Sequence, residues 1–442
     1  MKILMATHHF PPRHTGGVEW ITLHAARWLQ SHGHAVEVVC VEEILPTASG
    51  DVQAKVDEDL GMKVYRLSIP SPFETGNFRQ RYWNGNIGTW FSRLFEKDRP
   101  DLVHLHSGYL LTVSPLATAQ ELHIPTVISL HDYWTICPRI QLLHPDGTRC
   151  AGPSPERCAW CLRTEQRRYR EPDRLSGGLL GRWMEKPAAA RLLGGSSVQR
   201  IKERQSTIMQ VLQRCSAILA HARLARDLVL QTGVEGGRVL LSPYGLDISA
   251  WPDPLPPKNE SITLRIGYLG NLIPTKGADV LVKAFCFLKT PRPVELRIYG
   301  DLEKDPAFGN KLQQLAGGDE RIHFLGRYEN TRVPYLMQDI DVLVVPSLWN
   351  ETGPLVTLEG LACRTPVVVS DIPNMVHQVR AEEDGLVFQT GNAVSLAGQL
   401  ERLAGEPELL ERLRNGIQPV RSLDEQMQDW LVAYNLAVEK TR

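Results

Sequence analysis

Asn350-Glu351-Thr352-Gly353-Pro354-Leu355-Val356-Thr357-Leu358-Glu359-Gly360 sets two carboxylates eight residues apart across a strand-to-helix turn. The strand is Val342-Leu343-Val344-Val345-Pro346, a short apolar run of the kind buried on both faces in parallel sheets. Gly353 is expected at the N-cap and Pro354 at the first helical position, where its missing N–H costs nothing. Glu351 then lies in the loop ahead of the helix, and Glu359 faces inward from the second turn. The free N–H groups of Leu355 and Val356, at the positive helix end, make a site for an anion between them. Two hydroxyl-binding carboxylates around a phosphate site are the groups a nucleotide-sugar requires.

Outward from this turn, apolar strands alternate with helical patterns, which predicts parallel α/β layers. The first series is expected at Lys2–Thr7, Ala35–Val41, Lys63–Leu67, Leu102–Leu105, Thr126–Leu130, Ala217–Ala220 and Val239–Leu241, with a helix at Val18–His32 after the first strand. A second runs through Leu264–Leu269, Glu295–Tyr299, Ile322–Leu325, Val342–Val345 and Val367–Ser370. Trp251-Pro252-Asp253-Pro254-Leu255-Pro256-Pro257 separates them and holds no regular element. Two Rossmann-like domains with parallel sheets facing a central cleft follow: residues 1–247, a linker at 248–262, and residues 263–421. Residues 137–205 interrupt the first series for longer than a loop does, so they read as an inserted subdomain.

Bulk properties narrow the classes. At 442 residues, two domains are the natural expectation. A hydrophobic content of 43% with 22% charged residues describes a globular protein, and a net charge of -1 argues against a nucleic-acid partner. No apolar run reaches membrane-span length, and Met1–Thr7 is too short for a signal peptide, so a cytoplasmic location is expected. Arg163 to Arg204 carries eleven Lys or Arg against five Asp or Glu, interspersed with Trp183 and leucines. Such a segment is either a solvated insertion or a peripheral contact with the anionic inner face of a membrane.

Other stretches carry candidate chemistry. Gly270-Asn271-Leu272-Ile273-Pro274-Thr275-Lys276-Gly277 is a tight turn whose backbone and Lys276 can approach a diphosphate. Gly16-Gly17, between the first strand and first helix, lets backbone N–H groups approach a ligand. His131 closes a strand whose end faces the ligand crevice, and Asp132 beside it is a candidate to fix the imidazole or to touch an acceptor. His106 is expected toward the ligand side, and His104 on the other strand face. Gly300, Gly326 and Arg327 end two strands of the second series. Asp339-Ile340-Asp341 precedes a buried strand and reads as a helix end rather than a metal site. Cys137, Cys150, Cys158 and Cys161 have the spacing C-x12-C-x7-C-x2-C, which makes a structural zinc site the expectation, with an iron–sulfur cluster, disulfides or free thiols as alternatives.

The ordered set resembles the retaining glycosyltransferases of family 4, with the GT-B fold and the E-x7-E motif. The resemblance implies that Glu359 holds a ribose diol and Glu351 sugar hydroxyls, with Gly353, Leu355 and Val356 beside them. It makes Lys276 the cation at the leaving diphosphate, while Asn271 stands where the family carries Arg, so one positive charge is missing. Gly16 and Gly17 would face the diphosphate and acceptor, His131 the donor sugar, and Gly270, Gly300, Gly326 and Arg327 would border the nucleotide. The implied reaction moves a sugar from a nucleoside-diphosphate sugar to a glycan, lipid-linked or small-molecule acceptor, without a catalytic divalent metal. A UDP-sugar is favoured as donor, with GDP- or ADP-sugars as alternatives. A sugar-nucleotide epimerase and a non-catalytic subunit of a glycosyltransferase complex are the rivals. The resemblance also predicts that residues 422–442 form a helix returning to the first domain.

Overall fold

Extended runs of Val, Ile and Leu, once buried, satisfy their backbone by pairing with other strands, and helices between them then cover both sheet faces. The computed structural model describes residues 1–442 apart from 48–49, 59, 74–75, 187–188, 190–194, 260 and 440–442. Two compact units result: Met1–Pro243 with Asp424–Arg442, and Tyr244–Leu423.

The first unit is built on β1 (Lys2–Thr7), β2 (Ala35–Leu45), β3 (Gln53–Asp57), β4 (Lys63–Pro70), β5 (Leu102–Leu105), β6 (Thr126–Leu130), β7 (Ala217–Ala220) and β8 (Val239–Leu241). Their order is β3-β4-β2-β1-β5-β6-β7-β8, parallel except where β3 runs antiparallel to β4. Ile3 of β1 pairs with Val36 on one side and Leu102 on the other, so the sheet changes its direction of growth at β1. A crevice at the carboxyl ends of the strands belongs at such a switch point.

The second unit repeats the device with β9 (Leu264–Leu269), β10 (Val294–Tyr299), β11 (Ile322–Gly326), β12 (Val342–Val345), β13 (Val367–Ser370) and β14 (Gly385–Phe388). The order β11-β10-β9-β12-β13-β14 is parallel throughout and switches between β9 and β12. Val342 and Val344 enter one core with Ile266 and Val368, while Leu343 and Val345 enter the other with Leu269 and Val369. Strand alternation thus fills both faces, and the loops after β9 and β12 emerge side by side.

Every strand expected from the sequence is present. β3 was not foreseen because Gln53-Ala54-Lys55-Val56-Asp57 is exposed along nearly its whole length and its alternation rests on Ala54 and Val56 alone. β14, only four residues behind an acidic turn, escaped for want of length. The first helix spans Gly17–Ser31. Helix Leu423–Glu439 buries Met427, Trp430, Tyr434 and Ala437, a spacing of three and four residues, within the first unit. Truncating a buried Trp such as Trp430 costs about 3–5 kcal/mol.

Between β6 and β7 lie helices Pro155–Arg163, Arg167–Leu175, Leu179–Met184 and Gly195–Arg214. The last is the crossover that leads into β7, so position 205 falls inside a helix. Residues 251–259 form neither helix nor strand, yet Lys258 is pinned in the second unit: its Nζ donates to Ile340 O and Thr365 Oγ1, each at 2.6 Å. Asp341 accepts from Arg265 Nη2 at 2.9 Å, so Asp339-Ile340-Asp341 joins a helix end to a strand.

Candidate functional site

The loops after β9 and β12 are held together before any ligand is considered. Gly277 has φ +70, and a Cβ there would lie 1.9 Å from Pro346 O, so only glycine allows this approach. Leu348 N–H donates to Thr275 O at 2.9 Å across the same seam. Lys276 is thereby delivered to Glu351, with Nζ 2.7 Å from Oε1 and 5.6 Å above the Trp349 ring. Ser347 Oγ donates to the same carboxylate oxygen at 2.7 Å, and Asn374 Nδ2 donates to Glu351 O at 2.6 Å. Glu351 is buried and Lys276 partly exposed. Two residues expected in separate roles therefore form one ion pair.

The helix after this loop is Leu355–Ala362, and its N-cap is Pro354, with φ -66 and ψ 121, rather than Gly353. The cap shifts by one residue because Gly353, at φ +128, makes the sharp turn that precedes the helix. Leu355 and Val356 become the first two helical residues, whose N–H groups have no acceptor within the helix. Glu359 is only 7% exposed. No hydrogen bond or ion pair engages its carboxylate among the described residues, and burial alone pushes its pKa up to about 7.

Gly270, Gly300 and Gly326 interlock at the ends of β9, β10 and β11: Gly270 N–H donates to Tyr299 O at 3.0 Å, and Gly300 N–H to Gly326 O at 2.8 Å. Arg327 is largely exposed, with Nε 3.7 Å from Asp301 Oδ2. Asn271 is exposed, and its backbone carbonyl accepts from Tyr268 Oη at 2.8 Å.

In the first unit, Gly16 is the N-cap of the first helix, and Glu19 folds back toward it, with Oε2 2.5 Å from where a Gly16 Cβ would stand. Glu19 Oε1 lies 3.5 Å from His8 Nε2, and burial, aided by His14, lowers the His8 pKa to about 4. The sequence alone did not single out this pair, although Glu at the third helical position behind a glycine pair was a usable signal.

His131 is buried and belongs to a column. Its ring stacks on His221 with centroids 4.5 Å apart, and its Nε2 lies 3.2 Å from His106 Nδ1. His104 and His106 have centroids 4.1 Å apart, and both rings lie against Trp430. The expected division of His104 and His106 between two faces is therefore corrected, since residues two apart on a strand share a face. Burial first, then neighbouring histidines, keeps the pKa of His104, His106 and His131 well below the usual range. Asp132 does not fix the imidazole as expected. Its Oδ1 accepts from Trp134 N–H at 2.7 Å, and burial raises its pKa to about 6.

No disulfide joins Cys137, Cys150, Cys158 or Cys161. Among the described residues no group of three or more His, Cys, Asp or Glu side chains is gathered as metal ligands, so the expected zinc has no support here. Cys158 instead packs in a small apolar cluster with Ala159 and Ile201, and burial pushes its thiol up to about 12. Cys150 is partnered by His144 and by the Gly152 N–H, at 3.4 Å.

Comparison with known proteins supplies the context. Residues 16–245 match the family model "Glycosyl transferase 4-like domain", and residues 256–418 match "Glycosyl transferases group 1". A D-inositol 3-phosphate glycosyltransferase of Jonesia denitrificans is 26% identical over 47% of this chain and 53% of its own length. The chain spans about half the length, or less, of the first such curated relatives it matches. An uncharacterized glycosyltransferase of Methanocaldococcus jannaschii is 22% identical over 99% of both chains. Anabaena HepE, solved in complex with UDP and glucose, superposes with a TM-score of 0.65 at 16% identity, covering 98% of this chain and 100% of that one. That likeness is one of fold, the α/β GT-B architecture with two domains of parallel sheets.

Proposed function

This chain belongs to the 4-like, group 1 glycosyl transferases, and we propose that it moves a sugar from a nucleoside-diphosphate sugar to an acceptor hydroxyl with retention at the anomeric carbon. The observation that carries the reading is the Lys276–Glu351 pair, set before a helix whose second turn holds the buried, unpaired Glu359. A ribose diol can donate two hydrogen bonds to Glu359, satisfying a carboxylate that the protein leaves alone. A diphosphate draws Lys276 toward itself and takes the N–H groups of Leu355 and Val356, while sugar hydroxyls replace Lys276 on Glu351.

In the step itself the bond from the anomeric carbon to the phosphate oxygen breaks and one to the acceptor oxygen forms. Negative charge grows on the departing diphosphate, where Lys276 and the helix end are already oriented. Attack from the face the phosphate leaves gives retention, and the acceptor proton passes to the departing phosphate oxygen. His131, held neutral by burial, contributes a hydrogen bond to the donor sugar without adding charge. Capture of UDP and glucose by Anabaena HepE supports UDP-sugars as the first donors to try.

The test is incubation with UDP-, GDP- and ADP-sugars and glycan, lipid-linked or small hydroxylic acceptors. Release of nucleoside diphosphate and the anomeric configuration of the product are followed by NMR. Retained configuration is the expected result. A donor epimer with no transfer makes the protein an epimerase. Binding without either product favours a non-catalytic subunit, the reading that the uncharged Asn271 supports.

A further inference from the structure

The segment Arg167–Lys186 has a surface composition of its own. Helix Arg167–Leu175 turns back through Ser176-Gly177-Gly178 into helix Leu179–Met184, making a short hairpin. Its inner side is fixed. Asp173 accepts from Gly181 N–H at 2.7 Å through Oδ1 and from Trp160 Nε1 at 3.3 Å through Oδ2. Tyr169, Leu180 and Met184 pack with Trp160 beneath it.

That anchoring determines what faces outward. Leu175 is 86% exposed, Leu179 63% and Trp183 48%, on a hairpin with an apolar cluster available on its other side. Around them Arg167, Arg168, Arg174, Arg182 and Lys186 are exposed. None of the three acidic residues in the segment is exposed to that degree: Glu171 and Asp173 are half-buried, and Glu185 pairs with Arg157 at 3.3 Å. The outward set is therefore cationic and apolar only.

We infer that this hairpin seats the protein on an anionic phospholipid surface. Leu175, Leu179 and Trp183 enter the boundary between headgroups and acyl chains, and the five cations meet lipid phosphates. A polyphosphate such as nucleic acid would use the cations and stack a base on Trp183, but would leave the more exposed Leu175 and Leu179 in water. With a net charge of -1 over the whole chain, attraction to an anionic surface must be local to this patch.

The experiment is co-sedimentation of the full chain with vesicles of phosphatidylcholine alone and of phosphatidylcholine mixed with phosphatidylglycerol. Binding to the mixed vesicles alone, weakening as salt is raised, is expected. Arg167→Glu, Arg168→Glu and Arg174→Glu together should lower the partition coefficient about a hundredfold or more. Leu175→Ser, Leu179→Ser and Trp183→Ser together should abolish the association that survives at high salt. Both variants should keep nucleoside-diphosphate binding, which shows that they fold and separates this inference from the reading of the nucleotide site. Equal association with neutral vesicles, variants that bind like the parent, or nucleic acid captured through these cations without vesicle binding would each overturn it.

Discussion

Lys276 Nζ lies 2.7 Å from Glu351 Oε1, joining the loop after β9 to the loop after β12 through one ion pair. Glu351 is buried and keeps Ser347 as a second donor, whereas Lys276 reaches solvent. On the proposed reading a donor separates the two groups, so the pair holds the site in order without closing it.

Replacing Lys276 with Ala should act on stability and on turnover by different routes. The carboxylate left behind retains Ser347, so the expected destabilisation is about 1–2 kcal/mol, read from urea melts. Turnover should fall by about two to three orders of magnitude, because the lost charge acts on the leaving diphosphate. Adding Glu351→Gln to Lys276→Ala should restore stability but not turnover. Near-normal turnover in Lys276→Ala would move the phosphate role to another cation.

Glu351→Gln by itself should leave Lys276 free for a phosphate. Free nucleoside diphosphate is then expected to bind at least as tightly as to the parent by calorimetry, while turnover drops. Equal weakening of free diphosphate and sugar donor would show that Glu351 does not hold the sugar.

Glu359 predicts a pH dependence with a definite sign. Its folded pKa of about 7 exceeds the ordinary value of 4.5, so the folded state takes up a proton over that range. Relative to Glu359→Gln, the parent should lose stability as pH rises from about 4.5 to 7 and stay level above that. The rise from 4.5 to about 7 bounds the loss at about 3 to 4 kcal/mol. Ribose hydroxyls need the ionised carboxylate as acceptor, so donor affinity should rise over the upper part of the same range. In Glu359→Gln it should fall at least about tenfold and lose its pH dependence. A donor dissociation constant unchanged by the substitution would remove the ribose assignment.

The histidine column should make the first unit acid-labile. The folded pKa values of His104, His106 and His131 are depressed, so their contribution to stability is complete above the ordinary value of 6.5 and is lost as pH falls below it. The expected observation is unfolding monitored at mildly acidic pH, with tryptophan fluorescence reporting exposure of Trp430. His131→Asn should lower turnover while leaving nucleoside-diphosphate binding intact. It should not reshape the rate profile between pH 6.5 and 8, because the imidazole is already neutral there.

The parallel α/β class, the strand positions and the Glu351–Glu359 spacing were legible in the residues alone, because apolar runs and helix-opening prolines are local signals. β3 left no such trace, since an exposed edge strand of mixed polarity is specified by its partner β4 and not by its own pattern. The sequence named Lys276 and Glu351 as members of a site but said nothing of their union. That depends on Gly277 approaching Pro346, a contact between segments about seventy residues apart. The same holds for the histidine column: His131 and His106 stood out as strand-end residues, but nothing local announced that they would meet each other or His221. The sheet order β5-β6-β7 sets these three strand ends side by side, with His106 and His221 against Trp430. Local pattern determines which elements form and which face is apolar. Which polar groups meet is decided by strand order and close backbone approach, and these exist only once the tertiary structure has formed.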